Sequence, residues 1–152
     1  MSNYRLFVAT GVEFQDSTEA LKHIGARMLK EGVVKATYPA ALLEREATYP
    51  TGIALENHAV AIPHCEASHA IEPAIYLIRP ATPVPFAQAD DDGFIQAQLV
   101  IALVVTHPQE QLKLLKALFG QLQQPKFIEG LLSVPENKIA DYFKRQIFSP
   151  AV

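Results

Sequence analysis

The chain has 152 residues, of which 49% are hydrophobic and 19% charged, as is ordinary for one globular domain with a sizeable core. Its formal net charge is −3 and its 13 lysines and arginines are scattered, which argues against nucleic acid or an acidic membrane surface as a partner. A single cysteine cannot form an internal disulfide, residues 1–5 lack a signal-peptide pattern, and the longest apolar run, residues 99–105, is too short to span a bilayer. We therefore expect a cytoplasmic protein that forms one domain over residues 1–152.

The first third of the chain predicts a strand and two helices. Residues 6–9 are apolar and strand-like. Asp16 or Ser17 is expected to cap a helix, in which apolar residues follow at helical spacing until Gly32 ends it. Pro39 suits the first turn of a second helix, and residues 40–47 have high helix propensity.

The middle of the chain predicts strands. Residues 53–55 and 59–62 flank a turn, and residues 74–78 form a buried strand. Residues 98–105 are nearly all apolar, which is typical of a strand covered on both faces. The acidic run Asp90-Asp91-Asp92 precedes Gly93 and predicts a solvated turn, because the ligand pattern of a calcium loop is missing around it.

The last third predicts three helices. Pro108 opens a helix over residues 108–123, and Pro125 breaks it. This helix carries a wide apolar stripe formed by Leu112, Leu114, Leu115, Leu118, Phe119 and Leu122. Two shorter helices fit residues 127–132 and 136–148. Since helices and strands interleave, the fold class is α/β, a mixed α+β sandwich with a single mixed sheet flanked by helices.

His64 is the first candidate for chemistry. It follows an apolar strand and Pro63, whose fixed φ restricts the loop that presents the imidazole. A histidine can act near neutral pH as a base, a nucleophile or a metal ligand. The local motif, AVAIPHCEASH, also fits a histidine that merely completes a turn.

Cys65 is the second candidate, which would make the protein a cysteine hydrolase. A reactive cysteine needs a lowered pKa, yet the side chains of neighbours on an extended chain point to opposite sides, so His64 is badly placed to activate Cys65. A packed, unreactive thiol is therefore favoured.

A metal site is a weaker alternative. Its ligands would come from His58, His64, Glu66, His69 and His107. The chain has neither an H-E-x-x-H motif nor paired cysteines, so the spacing matches no compact zinc site.

Arg45 is a candidate for holding a phosphate, because a guanidinium is always charged and can bind phosphate through two hydrogen bonds. It lies near the end of the second predicted helix, shortly before the strands that lead to His64. The alternative is an exposed arginine that pairs with Glu44, Glu46 or solvent. The chain contains neither of the common glycine-rich phosphate loops.

Together these segments resemble a family. Over nearly its whole length the chain resembles enzyme IIA components of the bacterial phosphoenolpyruvate-dependent sugar phosphotransferase system, of the fructose–mannitol type. The resemblance rests on three strings in the family's order: LLEREATYPTGIALENHAVAIPHCEA, DDDGFIQAQLVIALVV and PQEQLKLLKALFGQL. The strings YPTG, AIPHCEA, ADDD and PQEQLKLL resemble the galactitol-specific type within it.

The resemblance implies a phosphotransferase that works through a phosphohistidine. His64 would accept a phosphoryl group on Nε2 from the histidine phosphocarrier protein, and would pass it to a cysteine of the cognate enzyme IIB. Enzyme IIB would act in turn with the membrane sugar-transport component. The sugar alcohol that the resemblance implies is galactitol. Arg45 would stabilise the phosphoryl group. Many relatives have a second histidine where this chain has Gln111, which can donate a hydrogen bond, and the nearby His107 is the alternative.

The family reading implies no metal or organic cofactor, no nucleic-acid partner and no direct membrane insertion. An alternative within the same fold is a regulatory module, in which phosphorylation of His64 controls the binding of another protein.

Overall fold

A computed structural model describes residues 4–148. The expectation that residues 1–5 hold no signal peptide therefore falls mostly outside the described residues. Within residues 4–148 there are seven strands, five α-helices and one short 3₁₀ helix (Ala67–His69). The strands and α-helices are, in chain order, β1 (Arg5–Thr10), α1 (Ser17–Lys30), α2 (Tyr38–Thr48), β2 (Gly52–Ala54), β3 (Ala59–Ala61), β4 (Ala74–Arg79), β5 (Val84–Ala87), β6 (Phe94–Ala97), β7 (Leu99–Val104), α3 (Pro108–Leu122), α4 (Pro125–Ser133) and α5 (Glu136–Phe148).

Five of the strands form one mixed sheet in the order β1-β4-β7-β3-β2. The pairs β1–β4 and β3–β7 are parallel, while β4–β7 and β2–β3 are antiparallel. The predicted mixed sheet flanked by helices is therefore confirmed. The central strand β7 is buried along its whole length, as its apolar sequence predicts.

Helices cover both faces of this sheet. Because side chains alternate along a strand, Val100, Ala102 and Val104 pack into the core below α1 and α2. Leu99, Ile101 and Leu103 point the other way, into the core shared with α3, α4 and α5. The result is a three-layer sandwich in which the sheet is the middle layer.

A two-stranded ribbon of β5 and β6 adds to the predicted architecture. The sequence did not indicate these strands, because Pro85 and the acidic turn interrupt the apolar pattern. A proline is tolerated here since the ribbon has only two strands, each with a free edge. The predicted acidic turn is exposed and lies between the two strands.

Gly52 lets the ribbon approach the sheet. The Ala89 N–H donates to the Gly52 carbonyl oxygen at 2.8 Å. A Cβ atom at position 52 would lie 2.5 Å from the Ala87 carbonyl oxygen and 2.8 Å from Cγ1 of Ile95. This close approach explains why the Thr-Gly pair carries a glycine.

The predicted helices are present, with one difference in packing. Asp16 caps α1 by accepting a 2.9 Å hydrogen bond from the Glu19 N–H, as expected. In α3 only Leu114, Leu118 and Leu122 are buried, whereas Leu112 is 56% exposed. The predicted apolar stripe is thus too wide, because only one narrow face of the helix packs into the core that the sheet shares with α4 and α5. Over the described part of the chain, no helix combines the length and apolar character needed to cross a membrane.

Candidate functional site

The loop that carries His64 is tied to the strands on both sides of it. The Leu103 N–H in β7 donates to the Pro63 carbonyl at 2.9 Å, and the Ile62 N–H donates to the Thr51 carbonyl at 3.3 Å. His64 follows directly and its side chain is only 7% exposed. The apolar strand and the proline therefore restrict the position of the imidazole, as the sequence indicated. The structure adds that the residue is buried.

The backbone fixes the tautomer of His64. Nδ1 lies 2.8 Å from the carbonyl oxygen of Ile62. A carbonyl oxygen can only accept a hydrogen bond, so Nδ1 carries the proton and donates it. In the neutral ring Nε2 then has a free lone pair and is the nucleophilic nitrogen.

Arg45 approaches that same nitrogen. Its Nη2 atom lies 3.4 Å from Nε2 of His64. Its Nη1 atom donates to the Tyr49 carbonyl oxygen, and the guanidinium lies 5.4 Å from the centre of the Tyr49 ring. Within residues 4–148 no salt bridge joins Arg45 to Glu44 or Glu46, so the alternative of a surface ion pair is not observed.

The surroundings keep the His64 imidazole neutral. Burial lowers the pKa of His64, and the positive charge of Arg45 lowers it further. The hydrogen bond to Ile62 acts in the opposite direction but does not cancel these effects. A neutral, singly protonated ring beside a fixed cation is the state that a nucleophilic histidine requires near pH 7.

Cys65 is a buried thiol with no sign of activation. Burial raises its pKa to about 12, and Glu66 adds to this while Arg45 opposes it. Only the thiolate is nucleophilic, so a thiol with this pKa is unreactive near neutral pH. The cysteine-hydrolase alternative has no support in this geometry.

The predicted metal ligands are dispersed. His58 bonds to Gln98 at 3.1 Å, and His69 bonds to Thr37 at 2.8 Å. Across residues 4–148 no group of three or more histidine, cysteine or acidic side chains is arranged to hold a metal ion.

Gln111 lies on the first turn of α3, beside the His64 loop. It is half-buried and lines a cleft of about 540 Å³ together with Glu66, Ser68 and Thr106. His107 is exposed at the start of α3, where its carbonyl oxygen accepts the Gln111 N–H at 3.0 Å. In the described residues neither side chain forms a hydrogen bond with His64.

Sequence reasoning missed a buried pair next to Arg45. Glu46 is 6% exposed and Thr51 is 5% exposed. The Glu46 carboxyl group accepts two bonds of 2.7 Å from Thr51, one from the backbone N–H and one from the hydroxyl. One signal was available: Glu46 follows the buried Leu42 by four positions, and residues at that spacing share a helix face.

Comparisons with known proteins show the family to which the chain belongs. A sequence profile of the family described as "Phosphoenolpyruvate-dependent sugar phosphotransferase system, EIIA 2" matches residues 5–146. The chain is 56% identical over 142 residues to the galactitol-specific EIIA component of the PTS system of Escherichia coli K12. That alignment covers 93% of this chain and 95% of the relative.

Solved structures show the same fold. The complex of enzyme IIAMTL and phosphorylated enzyme IIBMTL from Escherichia coli matches with a TM-score of 0.70 at 21% identity, covering 96% of this chain and 95% of the matched chain. The crystal structure of IIA mannitol from the same organism matches with a TM-score of 0.70 at 22% identity, covering 91% and 94%.

Proposed function

The chain belongs to the EIIA 2 family of the phosphoenolpyruvate-dependent sugar phosphotransferase system, and we propose that His64 is the residue through which it carries the phosphoryl group. Membership makes the protein a phosphotransferase with a phosphohistidine intermediate. The observation that carries the assignment to His64 is its geometry: Nδ1 is bound to the Ile62 carbonyl, and Nε2 faces Arg45.

In the proposed reaction Nε2 of His64 attacks the phosphorus of a phosphorylated donor histidine. The new N–P bond forms as the donor's N–P bond breaks, and the donor nitrogen takes the electron pair. Phosphoryl transfer needs an aligned nucleophile and groups that stabilise the spreading negative charge. The locked tautomer supplies the first of these requirements.

Arg45 and Gln111 are proposed to stabilise the phosphoryl oxygens. The Arg45 guanidinium already lies beside Nε2, where the phosphoryl group would form. The Gln111 amide can donate a neutral hydrogen bond from the neighbouring cleft but cannot add positive charge. In this proposal the reaction needs neither a metal nor an organic cofactor, and residues 1–152 act as one EIIA domain.

The proposed partners are two proteins. The donor is the histidine phosphocarrier protein, and the acceptor is a cysteine of the cognate enzyme IIB, which acts in turn with the membrane transport component. The fold shared with an enzyme IIA solved together with a phosphorylated enzyme IIB supports the second partnership. Identity of 56% to the galactitol-specific component supports galactitol as the transported sugar alcohol. The proposed place of action is the cytoplasm.

Phosphorylation with the general enzymes of the system tests the assignment. Incubation with phosphoenolpyruvate, enzyme I and the histidine phosphocarrier protein is expected to add one acid-labile, base-stable phosphate per chain. His64→Gln should remove the label, while the matched variant His69→Gln and the variant Cys65→Ala should keep it. Equal labelling of His64→Gln would refute the role of His64.

A second step separates transport from regulation. The labelled protein is mixed with a galactitol-type and a mannitol-type enzyme IIB, and the loss of label is followed in time. Rapid transfer to the galactitol-type protein supports the proposed carrier. Retention of the label in both mixtures would favour the regulatory module instead.

A further inference from the structure

We propose that Glu46 is a positioning residue for phosphoryl transfer, because its two hydrogen bonds to Thr51 hold Arg45 and His64 in register with each other. The inference rests on the proposed role of His64 as phosphoryl acceptor. Glu46 touches neither Nε2 nor the incoming phosphoryl group; it acts through Thr51.

The Glu46–Thr51 pair is buried in a way that needs a reason. Burial raises the pKa of the Glu46 carboxyl group, and the two hydrogen bonds from Thr51 only partly offset this. Removing a carboxyl group from water costs free energy unless its oxygens are paired, and here each oxygen has one partner at 2.7 Å. An apolar residue would fill this place without the cost, but it could not bind Thr51.

One branch of hydrogen bonds runs from this pair to the imidazole. Thr51, held by Glu46, offers its carbonyl oxygen to the Ile62 N–H at 3.3 Å. Ile62 in turn offers its own carbonyl oxygen to Nδ1 of His64 at 2.8 Å. The orientation of the Ile62 peptide, and with it the tautomer of His64, therefore depends on where Thr51 lies.

A second branch runs to the guanidinium. Arg45 precedes Glu46, and its side chain donates to the Tyr49 carbonyl oxygen, two residues before Thr51. The Tyr49 N–H also donates to the Arg45 carbonyl at 2.8 Å. By tying Thr51 back to the helix, Glu46 closes the segment 46–51 and so fixes the carbonyl group that holds the guanidinium of Arg45.

The two branches predict a loss that goes beyond stability. Without the bonds to Thr51, we expect Ile62 to release Nδ1 part of the time, so the proton can move to Nε2 and the attacking nitrogen is blocked. Replacing a residue that only stabilises the fold would lower the unfolding midpoint but would leave the tautomer of the folded protein unchanged.

The test compares Glu46→Ala with Glu46→Gln in the full chain. The glutamine amide can accept the Thr51 N–H and donate to the Thr51 hydroxyl, so it preserves both contacts. Three quantities are measured: the phosphorylation rate at saturating donor, the His64 tautomer by ¹⁵N NMR, and the ratio of Nε2- to Nδ1-phosphohistidine by ³¹P NMR. Glu56→Ala, at an exposed carboxylate, is the matched control.

We expect Glu46→Ala to slow phosphorylation about tenfold or more, since small misplacements of reacting groups are costly, and to give a mixture of tautomers. Glu46→Gln should stay within about threefold of the wild-type rate because its contacts persist. A folded Glu46→Ala protein with the wild-type rate and tautomer would overturn the inference. If Glu46→Ala does not fold, Thr51→Val tests the inference instead, because it loses only the hydroxyl contact. An unchanged rate and tautomer in Thr51→Val would overturn the inference, and a mixture of tautomers would support it.

The failure of this inference is distinguishable from the failure of the proposed function. Wild-type protein that takes no phosphate on His64 refutes the proposed function and this inference together. Wild-type protein labelled on His64, with a folded Glu46→Ala variant that behaves identically, refutes only the role of Glu46.

Discussion

Nη2 of Arg45 lies 3.4 Å from Nε2 of His64, although 19 positions separate the two residues in the sequence. The donor is aimed at the lone pair that would attack phosphorus. In the proposed reaction an N–P bond takes the place of that lone pair, and the same N–H groups would then lie within reach of the phosphoryl oxygens. The guanidinium can therefore bind both the free and the phosphorylated state with little rearrangement of the chain.

Replacing Arg45 separates charge from geometry. Arg45→Gln is expected to slow phosphoryl acceptance about a hundredfold, because a charged donor to the transferring group is lost. Arg45→Lys keeps the charge but cannot reach Tyr49 and His64 with one planar group, so we expect a loss of about tenfold. Single-turnover kinetics with phosphorylated donor measures both rates, and wild-type rates in both variants would exclude Arg45 from the site.

Gln111 and His107 are the two candidates for a further residue that stabilises the phosphoryl group. Because Gln111 lines the cleft beside the His64 loop, Gln111→Ala should lower the transfer rate several-fold. This factor corresponds to an activation free energy raised by about 1 kcal/mol, the contribution of one neutral hydrogen bond. The side chain of His107 is exposed, so His107→Ala should leave the rate unchanged. The same kinetic assay compares the two variants, and the reverse order of effects would assign the place to His107.

The lowered pKa of His64 predicts how activity depends on pH. Burial, followed by the charge of Arg45, lowers this pKa below the ordinary value of 6.5, so the neutral nucleophile persists as the pH falls through 6.5. We expect the acceptance rate to stay level there and to fall only at the lower, folded-state pKa. Arg45→Gln should move this fall to higher pH, and a midpoint at or above 6.5 in the wild type would contradict the prediction.

The same shift affects stability with a definite sign. Below pH 6.5 the unfolded chain binds a proton at His64 that the folded chain does not, so the free energy of unfolding decreases as the pH falls from 6.5 to the folded-state pKa. His64→Gln lacks this contribution. Urea unfolding of both proteins across this range is therefore expected to show a steeper loss for the wild type.

Gly52 and Gly120 form a matched pair for testing the close approach of the ribbon. Gly52→Ala places a methyl group 2.5 Å from the Ala87 carbonyl oxygen, and overpacking of this kind costs about 1–3 kcal/mol. Gly120 lies exposed in α3, and a Cβ atom added there would meet no atom outside its own helix backbone within 4 Å. Gly120→Ala should therefore stabilise the helix by about 0.5–1 kcal/mol. Urea unfolding midpoints measure both changes. An unchanged midpoint in Gly52→Ala would show that β5 and β6 can move away from position 52 at no cost in stability.

Local signals in the sequence account for much of the fold. Asp16, Pro108 and the apolar run of β7 mark their elements through capping, fixed φ and burial, which act within a few residues. The ribbon of β5 and β6 was missed because its stability comes from packing against distant residues such as Gly52. The excess width of the predicted α3 stripe has the same origin, since the packing of α3 against α4, α5 and the sheet decides which leucines are covered.

The residues of the candidate site could be proposed from the sequence, but their geometry could not. His64 and Arg45 belong to sequence motifs, so both could be named in advance. Their 3.4 Å approach depends on the end of α2 meeting the loop after β3, which no local pattern specifies. Glu46 entered the sequence analysis only as a possible partner of Arg45, because its contact with Thr51 exists only in the folded chain.

The acceptor that fixes the His64 tautomer is a main-chain carbonyl, and this affects what mutation can change. Every amino acid at position 62 supplies that oxygen, and Pro63 restricts residue 62 to extended conformations whichever side chain it carries. Substitutions at position 62 can therefore alter packing or partner fit while the choice between the two ring nitrogens stays the same. The proposed phosphorylation at Nε2 would thus be robust to genetic variation at the residue whose carbonyl selects that nitrogen.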